Sequence, residues 1–530
     1  MKTHGMFFLT YINILKLYKT ILIYINNIIK IVHILKQLKI LILTLGISSA
    51  FIIQPLTQKT NTKKLRRTDD IYINNLEILR SKHLEIKKNN LPIYWSKNNN
   101  IYIYTTPEIW AIAFLNFVHG LMGISKIAIS FYYKDMLNLS PFELTIITSI
   151  TAIPWIIKPL YGFISDTYPF FGYKRKSYLI LSSLLGSVSW VIMAKFVSLI
   201  NIGQMDRGII TLIYSVSLVT LSFIGLAFSD VLLDAIAVSK TQEENNTASI
   251  QIIFWVSSSL GSIISSYFSG YLLQNYGTVF VFYLSAVIPL ITAVISVFIK
   301  EPLNYKLQYS RVNTLQLLKI KIKKILNTLS QKTILYPLLF LMVLNAMPKI
   351  GTILFYYEVN ELGFQPDFFG MIGSASSIAS LLGIVLYNQK LKSIHSRVIL
   401  KWTCIISAVL GMLPLILVTH VNRLIGIPDV WLSILDDIIL SIFSQITMIP
   451  ILVLATQICP HGVEAMLYAT ITSANNLSSN IGKLLGGILT NILGVTNNDF
   501  TNLPWLIVLT NLFGLIPLMF LNFIPKNDKK

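Results

Sequence analysis

Between residues 108 and 524, apolar runs of membrane-crossing length follow one another with short polar breaks between them. Few folds accept such a pattern. Crossing about 30 Å of hydrocarbon takes roughly 20 residues of helix at 1.5 Å each. Hydrocarbon offers no partner to backbone N–H and C=O groups, so a crossing segment is either a helix or part of a closed barrel. The length of these runs, and their lack of strict alternation, select helices. Of the 530 residues, 54% are hydrophobic and only 12% charged, too little polar surface for a soluble chain of this length.

The runs read as 108–133, 142–164, 177–200, 209–235, 247–273 and 278–299 in a first half. A second half reads as 334–357, 367–388, 397–420, 430–458, 464–494 and 502–524. The expected fold class is therefore an all-α integral membrane protein of twelve transmembrane helices, with both ends of the core on one side. The domains are expected as an N-terminal extension 1–106, a first lobe 107–300, a basic linker 301–333, and a second lobe with a short basic tail 334–530. Three readings stand for the extension. Its apolar run and the small residues Ser48, Ser49 and Ala50 fit a targeting segment, while a signal anchor and a disordered extension fit it too.

A net charge of +20 would point to nucleic acid in a soluble domain. Here the basic residues fall on alternate connections: Lys174, Arg175 and Lys176; the linker; Lys390, Lys392 and Arg397; Lys526, Lys529 and Lys530. That is a topology signal, and it places these connections and the core's termini in the cytoplasm. The two cysteines, Cys404 and Cys459, make neither a disulfide framework nor a four-ligand zinc site. There is no phosphate-binding Walker loop, no catalytic constellation and no cofactor signature. His119 and His461 read as lone packed or helix-end residues, and the chain does not read as an enzyme.

The second connection carries Lys158, Pro159, Leu160, Tyr161, Gly162, Ser165, Asp166, Pro169, Gly172, Tyr173, Lys174, Arg175 and Lys176. Gly and Pro serve a tight turn, a carboxylate serves a helix end, and the basic trio fixes the side. This loop resembles the signature loop of major facilitator transporters, where it gates and packs the two lobes. The resemblance implies two six-helix pseudo-symmetric lobes, with Lys158, Gly162, Asp166, Gly172, Lys174 and Arg175 as gating residues. Ser229, Asp230, Asp234 and Ala235 make a second pattern. Cys459, Pro460, Gly462, Glu464, Tyr468, Ala469, Ser473, Asn475 and Asn476, continuing through Gly482, Gly486, Gly487, Leu493, Gly494 and Val495, make a third. Taken in order, the three resemble the folate-biopterin transporter family over nearly all of residues 108–524. Lys240, followed by Thr241, Gln242 and Glu243, departs from that family's expected continuation.

Asp230 and Asp234 lie four residues apart, so a helix points both carboxylates the same way. One reading has them solvated at a helix end or bridged to Lys174 or Arg175. The other has one carboxylate bind the amino-pyrimidine edge of a pterin or carry a coupling proton. Charges inside a bilayer cost at least about 2.5–3.5 kcal/mol on insertion scales and so face a cavity or a partner. Lys126, Lys349 and Lys483 lie within apolar runs; they either snorkel to an interface or form an anion site between the halves. Trp255 is the aromatic to test for stacking on a pterin. Pro154, Pro159 and Pro348 break helical hydrogen bonding locally, and Gly482 with Gly486 makes a close-approach face for internal packing or for dimerisation.

The family resemblance implies a secondary active transporter moving a folate or pterin-like anion by alternating access, proton-coupled and working as a monomer. The expected partners are the small-molecule substrate, a proton and the lipid bilayer, with no nucleic acid. The plasma membrane and a plastid-type organelle are both open. A facilitator carrier of another metabolite, such as an amino acid or nucleoside, and a non-transporting receptor or scaffold are the alternatives.

Overall fold

A computed structural model describes residues 107–243, 247–299, 301, 319, 322–323, 326–391, 394–458 and 464–523. The expected extension, most of the linker, the basic tail, and Cys459, Pro460, His461 and Gly462 lie outside the described residues. Helices account for nearly all the rest; the β-type pairing found is a single bridge between Phe170 and Tyr173.

Among the described residues, nine helical stretches are long and apolar enough to cross a membrane. They supply α1 (Ile109–Met136), α3 (Lys176–Asn201), α4 (Ile209–Ala237), α7 (Ile334–Asn360), α8 (Pro366–Leu391), α9 (Arg397–Val418), α10 (Asp429–Ile449) and α12 (Leu503–Asn522). The ninth, Ile253–Val297, is 45 residues long, far more than one crossing needs. It belongs to a helical run Thr247–Val297 that breaks at Gly277, where φ is +77°. A β-carbon is disfavoured at that φ, so glycine ends one helix and starts the next. The break gives α5 (247–276) and α6 (278–297), where the sequence placed a boundary.

Two more helices bring the number to twelve. They are α2 (141–167), which is broken into short stretches, and α11 (Glu464–Ile492), which is polar; neither stands among the nine. The break and the polarity have one structural cause. The α2 helix is interrupted at Ala152 and Ile157, beside Pro154 and Pro159. Pro159 cannot donate to the carbonyl four residues back, which is that of Trp155. The Asn476 side-chain amide on α11 donates to Trp155 O at 3.1 Å instead. Ser473 Oγ donates to Ile156 O, and Asn480 Nδ2 to Ser149 O at 3.1 Å. The α11 helix is thus polar because it completes the hydrogen bonding of a broken neighbour.

The same helix completes α7. That helix breaks over residues 347–350 around Pro348, and Lys349 N donates to Gly482 O at 3.0 Å across the gap. A Cβ on Gly482 would lie 2.5 Å from Asn345 O, and one on Gly486 only 1.8 Å from Lys349 O. The Gly482–Gly486 face therefore serves packing within the chain.

The halves meet at both ends of the bundle. At the end bearing Lys174–Lys176, hereafter the basic end, Phe163 of α2 packs with Leu338 and Leu341 of α7 and Ile471 of α11. At the far end the Phe131 ring of α1 meets Phe355 of α7 with centroids 5.2 Å apart, and Tyr356 Oη donates to Leu139 O at 2.6 Å. A third contact joins α5 and α8, where a Cβ on Gly270 would sit 2.2 Å from Pro366 O.

Candidate functional site

Between these closures, α1, α5 and α8 line a half-open cavity of about 290 Å³. Lys126 borders it, with Ser266 and Ser269 from α5 and Ser376, Ser377 and Ser380 from α8. Lys126 keeps accessible surface because it faces this interior space, although protein surrounds it. A lysine in an apolar run is expected to find a cavity or a partner, and this one finds a hydroxyl-lined cavity.

The other two interior lysines converge on the same region. Lys349 Nζ donates to Ser479 Oγ at 2.9 Å and lies 3.4 Å from Asn345 Oδ1. Asn345 in turn donates to Asn475 Oδ1 at 2.9 Å, which fixes the amide's oxygen toward the ammonium. The Lys483 charge is close enough to repel those of both Lys126 and Lys349. Counted along their helices from the far end, the three lysines sit about 14–17 Å deep, near the middle of the bundle. Among the described residues, no carboxylate is among the groups that act on them. Three ammoniums sharing one layer without a counter-charge form an electropositive trap for an anion.

A second charged layer lies about 26–32 Å from the far end on the same scale. Lys158 Nζ of α2 donates to Asp230 Oδ2 of α4, and His119 Nε2 of α1 lies 2.8 Å from Asp230 Oδ1. The Lys158 side chain is buried and stands 4.8 Å above the Trp155 ring. His119 is therefore not the lone packed residue that the sequence suggested. One oxygen of Asp230 is taken by each base, and three helices are tied at one carboxylate. Nor is Asp230 bridged to Lys174 or Arg175, because its charge partners are Lys158 and His119. Asp234 lies one turn further along α4, half-buried and within reach of the Asp230 and Lys158 charges. Ser229, beside Asp230, packs α4 on α3 through a 2.9 Å contact to Ser182 Oγ.

The loop between α2 and α3 takes its shape from a residue that the sequence did not single out. The Glu301 carboxylate, just past α6, accepts the backbone N–H groups of Lys174 at 3.1 Å, Arg175 at 3.1 and 3.2 Å, and Lys176 at 2.8 Å. A carboxylate over three free N–H groups at a helix start satisfies both their hydrogen bonding and the helix dipole. Gly172, at φ +78°, turns the chain into that clamp. Gly162 is buried within α2 and Asp166 half-buried near its end. These residues shape the basic end of the bundle.

Other expected site residues fall elsewhere. Trp255 is half-buried on α5 and does not border the cavity. Glu464 opens α11, while Asn475 and Asn476 act through α7 and α2 as above.

Residues 119–530 match the BT1 family. The chain is 40% identical over 423 residues, 79% of its length and 82% of the relative's, to the folate-biopterin transporter of Synechocystis sp.. It is 32% identical to the probable folate-biopterin transporter 2 of Arabidopsis thaliana, with 83% and 86% covered. It is 30% identical to folate transporter 1 of Plasmodium falciparum, with 78% of each covered. Its fold resembles the nucleoside transporter NupG, at a TM-score of 0.57 and 14% identity over 80% of this chain and 100% of that one. It also resembles a D-xylose-proton symporter, at a TM-score of 0.58 and 14% identity over 80% and 98%. With this fold and these relatives, the chain is a multi-pass membrane transporter rather than an enzyme, and it belongs to the BT1 family, that of the folate-biopterin transporters.

Proposed function

We propose that the protein carries a folate or pterin-like anion across its membrane by alternating access, driven by a proton. The observation that carries this reading is the layer of Lys126, Lys349 and Lys483 in mid-bundle, bordered by serine hydroxyls and lacking a counter-carboxylate. Its charge suits the carboxylates of a glutamyl tail. The carboxylate layer lies about 10–15 Å nearer the basic end, so an elongated substrate with an anionic end and an amine-bearing ring has a partner for each. Curated relatives named for folate and biopterin transport support the same substrate class.

Asp230 is occupied by two bases, so the role of proton carrier or ring acceptor falls to Asp234. Closure at both ends around the cavity fits an occluded step of alternating access, each end opening in turn. The basic loops support a topology with both core termini in the cytoplasm, and the presence of both six-helix halves in one chain supports transport by a single copy.

The test is uptake of radiolabelled folate by a folate-auxotrophic host or proteoliposomes carrying the protein. Saturable uptake that a proton gradient makes concentrative, and that unlabelled pterins compete for while nucleosides and amino acids do not, is the expected result. Competition by the latter alone would assign another substrate, and binding without uptake would leave a receptor.

A further inference from the structure

Where α3 and α4 meet at the far end, their outer surface holds a groove of about 680 Å³. That lies within the about 300–1,000 Å³ usual for ligand sites. Its floor is the buried Phe196, whose ring lies 4.6 Å from that of Tyr214. Its walls include Val191, Ile192, Ile209 and Ile210, which are 40–81% exposed and so face lipid. Two charged residues border the groove, Lys195 and Asp206.

Lys195 is the anomaly. It stands on α3 about 9 Å short of that helix's end at Asn201, exposed on the membrane-facing side. Among the described residues its ammonium has no ion-pair or hydrogen-bond partner, and neither has the Asp206 carboxylate. An unpartnered ammonium at that depth draws in an anion from its surroundings. The order of groups along the groove then specifies which one. Apolar walls lie deepest at Val191 and Ile192, the cation follows at Lys195, and the anion lies outermost at Asp206 in the α3–α4 connection. Acyl chain, phosphate and ammonium follow one another in that order in an amine-bearing phospholipid.

We infer that this groove is a binding site for one phosphatidylethanolamine molecule, its tail along Val191 and Ile192, its phosphate on Lys195 and its ammonium on Asp206. This site is separate from the substrate cavity and does not depend on what the cavity carries. Arg207, next to Asp206, does not border the groove and serves as a control.

The experiment is thermal unfolding of the full-length protein in detergent, titrated with phosphatidylethanolamine, phosphatidylcholine or phosphatidylglycerol of identical acyl chains. Native mass spectrometry counts the lipid retained. The ethanolamine lipid should raise the unfolding midpoint at the lowest concentration and stay bound one per chain. Losing one charge-assisted contact in Lys195→Ala or Asp206→Ala should weaken its apparent affinity about tenfold, and Arg207→Ala should not. All three positions are exposed, so the variants keep the fold, which wild-type midpoints without lipid would confirm. Equal effects of the choline lipid, a stronger effect of the glycerol lipid, no response to any lipid, or unaltered affinity in both variants would each overturn the assignment.

Discussion

Lys158 of α2 and Asp230 of α4 form an ion pair across 72 residues of chain, and His119 of α1 closes the second carboxylate oxygen at 2.8 Å. Two charges taken out of water stabilise a fold little as a pair, yet removing one strands the other, at about 3–5 kcal/mol. Lys158→Ala and Asp230→Ala should therefore each lower the thermal unfolding midpoint markedly. The double replacement Lys158→Met with Asp230→Leu should recover most of that loss while leaving uptake abolished. If the single variants unfold like the wild type, the pair does not hold the three helices together.

Mutual repulsion among Lys126, Lys349 and Lys483 means that the resting protein bears a cost for holding an anion site open. Replacing Lys126 or Lys349 by Met should raise the unfolding midpoint slightly while weakening substrate binding about tenfold each, the loss of one charge-assisted contact. Stability and function moving in opposite directions is the signature of a binding site. Uptake unchanged in Lys126→Ala combined with Lys349→Ala would remove these lysines from it.

Asp234 shares a helix face with Asp230 but has neither of its bases bonded to it. Asp234→Asn keeps the shape and removes the titratable group. Proton-driven accumulation should be lost, while exchange of labelled for unlabelled substrate, which needs no net proton movement, should persist. If accumulation survives in Asp234→Asn, the coupling site is elsewhere; if exchange is lost as well, the residue binds substrate.

The number and limits of the helices were legible because membrane thickness dictates segment length, whatever the packing. The break at Gly277 falls where the apolar runs 247–273 and 278–299 left a boundary, so its place was legible too. The reasons behind the polar residues were not. Ser473 and Asn476 could be matched to a family pattern, but the carbonyls they serve lie 317 and 321 residues away. His119 has its partner at Asp230 on a helix that no local periodicity connects to its own. Its one sequence signal was a titratable ring in the middle of an apolar run, the kind of position where a partner is physically required. Glu301 gave less, because a carboxylate after a helix looks like any solvated end until the N–H groups of residues 174–176 are found above it.

The link between Pro159 and Asn476 makes the sharpest test of how the two halves are joined. Asn476 Nδ2 donates to Trp155 O only because Pro159 has no N–H to give it. Asn476→Leu should strand that carbonyl inside the bundle and cost about 1–3 kcal/mol, read as a lower unfolding midpoint. In a Pro159→Ala background position 159 regains its donor, α2 can continue through Ile157, and the carbonyl no longer depends on α11. The same Asn476→Leu change should then cost much less, so the double-mutant cycle should give a coupling well outside the about 0.3–0.5 kcal/mol scatter of independent sites. Pro159→Ala alone should fold yet slow uptake, because a straightened α2 no longer bends where α11 meets it. Additive effects at the two positions would mean that the amide and the proline act independently, and that the α2 break has another cause.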